Sequence, residues 1–284
     1  MGEKRERRAF DPEQRRDKKP ADAEGRRERK PADSEQRPAF LRENQLEGKN
    51  AVLEVLKSDR DIEKIWIVKE SSEPTLRRIA ALARERGVVV QETGRAKLDA
   101  MSQTKNHQGV MAFVSSHAYA QVEDLLALAR ERNEPPLLVM LDQVTDPHNL
   151  GAVIRTAECA GAHGVIIPKH RAVGLTPIVG KTSAGALEHL PVAKVTNLKA
   201  TIADLKKEGL WVACADMDGQ PCYQADLKGP LLLVVGSEGE GVSRLVKEAC
   251  DFTVSIPMYG KISSLNASVA ASLLLYEAVR QRRF

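Results

Sequence analysis

Residues 231–243 read LLLVVGSEGEGVS. The five apolar residues from Leu231 to Val235 have the length of a strand buried on both faces. Glycines at 236, 239 and 241 end the run at once, and a helix is predicted over 243–249. A strand without polar alternation that turns into a helix is the repeating unit of a parallel sheet covered on both faces. The unit recurs on either side. Strands are predicted at Leu137–Leu141, 164–167, 210–215 and 252–256, and helices at 150–160, Leu198–Lys207 and 265–282. The fold class is therefore α/β, with a parallel sheet in the C-terminal half. Ligands of such sheets lie beyond the carboxyl ends of the strands, which directs attention to the loops that follow them.

Three of these loops carry unusual residues. In 231–243 the glycines serve either a tight turn or the close approach of a cofactor to the backbone, with Glu238 fixing a hydroxyl or an amine. The loop lacks the G-x-G-x-x-G spacing of a dinucleotide site, and its acids would repel a pyrophosphate. Residues 142–156, DQVTDPHNLGAVIRT, leave a strand and enter a helix. Asp146-Pro147 has the form of an N-cap followed by proline in the first turn, which puts Asn149 in that turn. Arg155 lies further along an otherwise apolar helix, as a snorkelling surface residue or as a ligand for phosphate or ribose. Residues 256–271, IPMYGKISSLNASVAA, end a strand and begin a helix near 263 or 264. Small residues crowd its first turns; a serine cap explains Ser264, but Asn266 is a poor helix former.

The N-terminal half is organised differently. Residues 1–40 contain no Val, Ile or Leu and alternate acids with bases. Such a segment has nothing to bury against the entropy of ordering, so 1–43 is expected to be a disordered, solvated tail. Helices at 48–57, 75–86 and 98–101 then alternate with strands at 65–68, 88–90 and 109–114, giving a small α/β domain over 44–116. A linker helix falls within 117–135, ended by Pro135-Pro136. The second domain is 136–284. The chain has 284 residues, a net charge of +4 and only 4% aromatic residues. That balance admits a nucleic-acid partner but not a broad base-stacking surface. Cys159, Cys214, Cys222 and Cys250 form no C-x-x-C pair and have no histidine at zinc spacing, so reduced thiols and no metal are expected. With no apolar h-region and no membrane-length apolar run, a cytoplasmic protein is expected.

Taken together and in order, N-x-G-A-x-x-R-T (149–156), V-V-G-S-E-G-E-G (234–241) and I-P-M-x-G-x-x-S-S-L-N-A-S-V-A (256–270) resemble the three motifs of the SpoU branch of the SPOUT RNA methyltransferases. The resemblance covers about 137–284. Residues 46–114, with KNHQGV at 105–110, resemble the L30e-like substrate-binding domain that precedes it in the subgroup acting on a guanosine ribose of bacterial large-subunit rRNA. The resemblance implies a SPOUT domain with a deep trefoil knot, a homodimer, and S-adenosylmethionine as cofactor. It assigns cofactor binding to Gly236, Ser237, Glu238, Ile256, Met258, Ser264 and Leu265. It assigns the polar active-site positions to Asn149, Arg155, Glu238, Ser264 and Asn266; among these, Glu238 is expected on chemical grounds to hold Arg155 or Asn149. Lys49, Asn50, Lys105, Asn106 and His107 are the candidates for RNA contact in the small domain. The implied reaction is 2′-O-methylation of a ribose, most readily a guanosine in rRNA. A tRNA guanosine, or a ribosome-assembly factor without catalysis, are the alternatives.

Overall fold

The structure is a computed structural model that describes residues 44–262 and 264–284. The expected tail, 1–43, and Ser263, one expected start of the last helix, lie outside the described residues.

A four-stranded sheet comes first. It is built from β1 (Gln45–Glu47), β2 (Ile62–Val68), β3 (Val90–Thr93) and β4 (Val110–Val114), in the order β1-β4-β2-β3. β4 runs antiparallel to both β1 and β2, and β3 runs parallel to β2. Helices α1 (Lys49–Lys57) and α2 (Pro74–Glu85) bury Val52, Val55, Leu56, Leu76 and Ile79 against Ile65, Ile67, Val110 and Ala112 on one face. The shorter α3 (Arg95–Met101) covers Trp66 and Met111 on the other face with Leu98. The strand expected at 88–90 begins at Val90 instead. Gly87 turns with a φ of +63°, and Val88 packs on the core before ladder pairing starts.

The second sheet has six strands, all parallel: β5 (Leu137–Leu141), β6 (Gly164–Pro168), β7 (Val192–Val195), β8 (Trp211–Pro221), β9 (Leu231–Val235) and β10 (Phe252–Ser255). Their order is β10-β8-β9-β5-β6-β7. Alternate residues of each central strand feed opposite faces, as the two-residue strand period requires. Leu137, Val139, Leu141, Leu231, Leu233 and Val235 meet α5 (Pro147–Cys159), α6 (Pro177–Thr182) and α9 (Ala267–Arg283). Leu138, Met140, Leu232 and Val234 meet α4 (Val122–Glu131), α7 (Leu198–Lys207) and α8 (Arg244–Lys247). The predicted parallel α/β layer is thus present. The helix expected to act as a linker, α4, instead buries Leu125 and Leu126 as part of a covering layer. Leu125 packs so closely on Gly164 that a Cβ there would lie 2.1 Å from its Cγ.

The two sheets meet at a polar junction. The Tyr119 hydroxyl and the Lys194 ammonium both donate to the Glu63 carboxylate at 2.5 Å. The backbone N–H of Leu175 donates to the Tyr119 oxygen. Burial, followed by the Glu63 charge, drives the Tyr119 phenol far above its ordinary range. Among the described residues, no helix is long and apolar enough to cross a membrane.

Candidate active site

The three loops singled out in the sequence converge. Asp146 caps α5 by accepting the His148 N–H at 2.9 Å, as the Asp-Pro pair suggested. This fixes Asn149 in the first turn, only 8% exposed. Its Nδ2 donates to Glu238 Oε1 at 2.9 Å. Asn266 Nδ2 donates to Asn149 Oδ1 at 2.9 Å and to Glu238 Oε1 at 2.5 Å. One carboxylate oxygen therefore organises both asparagines, and each residue comes from a different segment.

Asn266 is also the cap of α9. Its Oδ1 accepts the N–H groups of Ser268 and Val269, and the Ser268 hydroxyl at 2.6 Å. The helix starts at Ala267, not near 263 or 264 as expected. A capping side chain explains why a poor helix former stands there, and it displaces Ser264 from that role. A further link joins the first two loops. Asp142, a buried carboxylate that sequence reasoning passed over, accepts the Ser243 N–H at 2.8 Å, while its own N–H donates to Val235 O. Burial beside a strand end was the only signal, and sequence alone does not show burial.

Beside this network, beyond the carboxyl ends of β9 and β10 and against the middle of β8, lies a cavity of about 200 Å³. Gly236, Ser237, Glu238, Ile256, Met258, Ser264 and Leu265 all line it. Asn149, Arg155 and Asn266 do not. The floor is apolar, with Ala215, Val254, Ala270 and Leu274. The wall carries the carboxylates of Asp216, Glu238 and Glu240. Asp216 and Met217, on β8, were not anticipated, although they directly follow the strand predicted at 210–215; the strand in fact runs on to Pro221. Lys247 donates to Asp216 at 2.6 Å and holds its carboxyl below the ordinary range. Glu238 and Glu240 have no salt-bridge partner among the described residues. The 236–241 loop is closed on itself by two hydrogen bonds between Ser237 and Gly241. A Cβ at Gly236 would lie 2.0 Å from the Gly241 carbonyl carbon, so this glycine is required by a backbone contact.

Arg155 is exposed on α5 and makes no hydrogen bond or ion pair among the described residues. Of the two partners expected for Glu238, the structure provides Asn149. Next to Arg155, Thr156 meets Ser272 of α9 at 3.1 Å.

The five candidates for RNA contact divide. His107 is buried; its Nδ1 accepts the Gly109 N–H and its Nε2 faces Asp99, each at 2.9 Å. The ring is thereby committed inside the domain, holding the turn into β4. The Lys49 ammonium pairs with Glu73. Asn50, Lys105 and Asn106 are exposed. Among the described residues, no group of three or more His, Cys, Asp or Glu side chains could hold a metal ion.

Comparison with known proteins gives concordant results. The family described as SpoU rRNA Methylase matches residues 136–276, and RNA 2′-O ribose methyltransferase substrate binding matches residues 45–120. The chain is 50% identical to YacO of Bacillus subtilis (strain 168), assigned to the TrmH family of tRNA/rRNA methyltransferases; the match covers 83% of this chain and 94% of that protein. It is 47% identical to the 23S rRNA (guanosine-2′-O-)-methyltransferase RlmB of Pseudomonas putida, over 84% of this chain and 98% of that one. Among solved structures it resembles the SpoU methyltransferase AviRb of Streptomyces viridochromogenes, crystallised with the cofactor AdoMet. That match has a TM-score of 0.52 and 27% identity, covering 87% and 94% of the two chains.

Proposed function

Because the chain belongs to the SpoU (TrmH) family of RNA methyltransferases, we propose that it transfers a methyl group from S-adenosylmethionine to a ribose 2′-hydroxyl, most readily of a guanosine in large-subunit rRNA. The observation that carries this reading is the Glu238 carboxylate. It faces the cavity on one side and gathers Asn149 and Asn266 on the other.

The cavity suits the cofactor chemically. Its apolar floor fits an adenine and its carboxylates favour a ligand bearing a sulfonium and an ammonium, while a pyrophosphate would be repelled. Gly236, Ser237, Glu238, Ile256, Met258, Ser264 and Leu265 would hold it. When bound, the cofactor supplies an electrophilic methyl group whose departure leaves a neutral thioether. Arg155 would bind the target phosphate through its guanidinium and stabilise negative charge developing on the ribose oxygen. It is a poor proton acceptor, because a neutral guanidine is costly at a pKa above about 12. Asn149 and Asn266, held by Glu238, would orient the ribose, and such positioning is itself a large part of catalysis.

The reading extends to the architecture. Residues 136–284 would form the catalytic domain, with the segment from β10 into α9 threaded as a trefoil knot. Residues 44–116 would be the L30e-like module that selects RNA. A homodimer is supported by Val269, Leu273 and Tyr276, which leave a stripe 46–50% exposed along α9. Incubation with methyl-labelled cofactor and unmodified rRNA or tRNA transcripts tests the proposal. Label in rRNA is expected. Label in tRNA alone would move the substrate, and label in neither, with cofactor binding intact, would favour an assembly factor.

A further inference from the structure

On the face of the small sheet opposite α1 and α2, two lysines converge on one aromatic ring. Lys64 Nζ lies 4.9 Å from the Trp66 ring centroid and 5.1 Å from that of Phe113. Lys97 Nζ, from α3, lies 4.4 Å from the same Trp66 ring. The register places Lys64 opposite Phe113 and Trp66 opposite Met111, so these four residues share a face. The platform is rigid. Trp66 is 6% exposed, packs edge-on against Phe113, and donates its indole N–H to Gln91 at 2.8 Å.

Neither lysine has a carboxylate within ion-pairing distance among the described residues. The adjacent acid, Glu63, is already taken by Lys194 and Tyr119. Elsewhere in the fold Lys49, Lys194, Lys206 and Lys247 each have an acidic partner. Here two like charges lie 4.9 and 4.4 Å from the centroid of one aromatic ring, which attracts cations but neutralises neither. Loss of solvent, and then the Lys97 charge, lower the Lys64 ammonium from its ordinary value. An anion bound beside both ammonium groups would offset these effects by its charge. Because Trp66 is buried, the face offers charge and not a surface for stacking bases.

We propose that the Lys64–Lys97 pair on the Trp66–Phe113 face is a seat for the phosphodiester backbone of the substrate RNA, distinct from Asn50 on α1 and from Lys105 and Asn106 in the loop before β4. The proposal rests on the reading that this chain methylates RNA. Such contacts fix register and orientation without reading sequence, so a homopolymer reports them.

The test uses the full chain and poly(U), with affinity measured across a salt series. Each phosphate contact on a single strand contributes about 0.7 to the slope of log K against log salt. Lys64→Gln and Lys97→Gln should each lower the slope by about that amount, and the double variant by about twice as much. Lys64→Arg should restore it. Lys57→Gln, on α1, should leave it unchanged. In a Trp211→Phe background Trp66 is the sole tryptophan, and its fluorescence should respond to poly(U) and lose that response in the double variant. An unchanged slope and an unchanged fluorescence response in the double variant would overturn the seat. Failure of the wild-type chain to methylate either RNA would overturn the enzymatic reading instead, and the slope would still decide the seat.

Discussion

The candidate active site depends on single atoms whose partners differ in kind. Glu238 Oε1 accepts two amide N–H groups, and Asn266 both supplies one of them and caps α9. Asn266→Ala should therefore cost about 1 kcal/mol in stability from the lost cap, measurable by urea denaturation. It should also reduce kcat by more than that loss explains, because Asn149 and Glu238 lose a shared donor. Arg155 is the opposite case, an exposed cation with no partner among the described residues. Arg155→Lys should leave the denaturation midpoint unchanged and reduce kcat/KM by at least about tenfold, since an ammonium cannot reproduce bidentate contact with a phosphate. Near-wild-type turnover in that variant would remove the guanidinium from the account. At this scale the sequence was informative about which residues matter and less so about their connections. Asn149, Glu238 and Asn266 stood out because each is chemically out of place in its local context. Asp142 did not, because a carboxylate after a strand looks like any loop residue until the chain folds over it.

At the scale of elements, the governing feature is the sharp turn at the end of β9. Gly236 has no room for a side chain, and the obstructing atoms are the backbone of Gly241 and Val242, which cannot swing aside. Gly236→Ala should destabilise the fold by about 1–3 kcal/mol, as overpacking does. It should also abolish cofactor binding in a titration, since the loop forms a wall of the cavity. The long apolar strands β5 and β9 were legible because burial on both faces leaves an uninterrupted signature. Edge and capping elements were not. β7 is only Val192-Ala193-Lys194-Val195, shows no alternation, and sits at the sheet margin. α6 is a six-residue helix with Thr176 as its cap. β1 has only three residues and is defined by its pairing with β4. Each is set by tertiary contact more than by its own pattern.

At the scale of the whole molecule, stability should depend on pH through a buried histidine. His163 is 1% exposed. Its Nδ1 accepts the Leu137 N–H at the start of β5, and its Nε2 lies 3.3 Å from Glu134 without a hydrogen bond. Burial, and then the Arg132 charge, lower its pKa from the ordinary value of 6.5. The unfolded chain therefore takes up a proton before the folded one does. The stability this group contributes is complete above about pH 6.5 and is lost as the pH falls below it. The urea midpoint should fall between pH 7.5 and pH 5.5, and His163→Asn, which keeps an acceptor for Leu137, should flatten that fall. A midpoint just as acid-sensitive in the variant would assign the effect elsewhere. The same residue shows what the sequence withheld about the overall fold. Strand order, and the packing of α4 onto the second sheet, come from contacts far apart in the chain, and local patterns do not encode them.

The proposed methylation of a ribose is tied to a site in which Glu238 gathers three segments at the edge of one cavity. The most direct measurement is to methylate an unmodified large-subunit rRNA transcript with labelled cofactor, digest it to nucleosides, and identify the labelled one. Label is expected in a 2′-O-methylated nucleoside, guanosine first, at a position where the backbone has become resistant to alkali. Label carried on a base, with the neighbouring phosphodiester still cleaved by alkali, would contradict it.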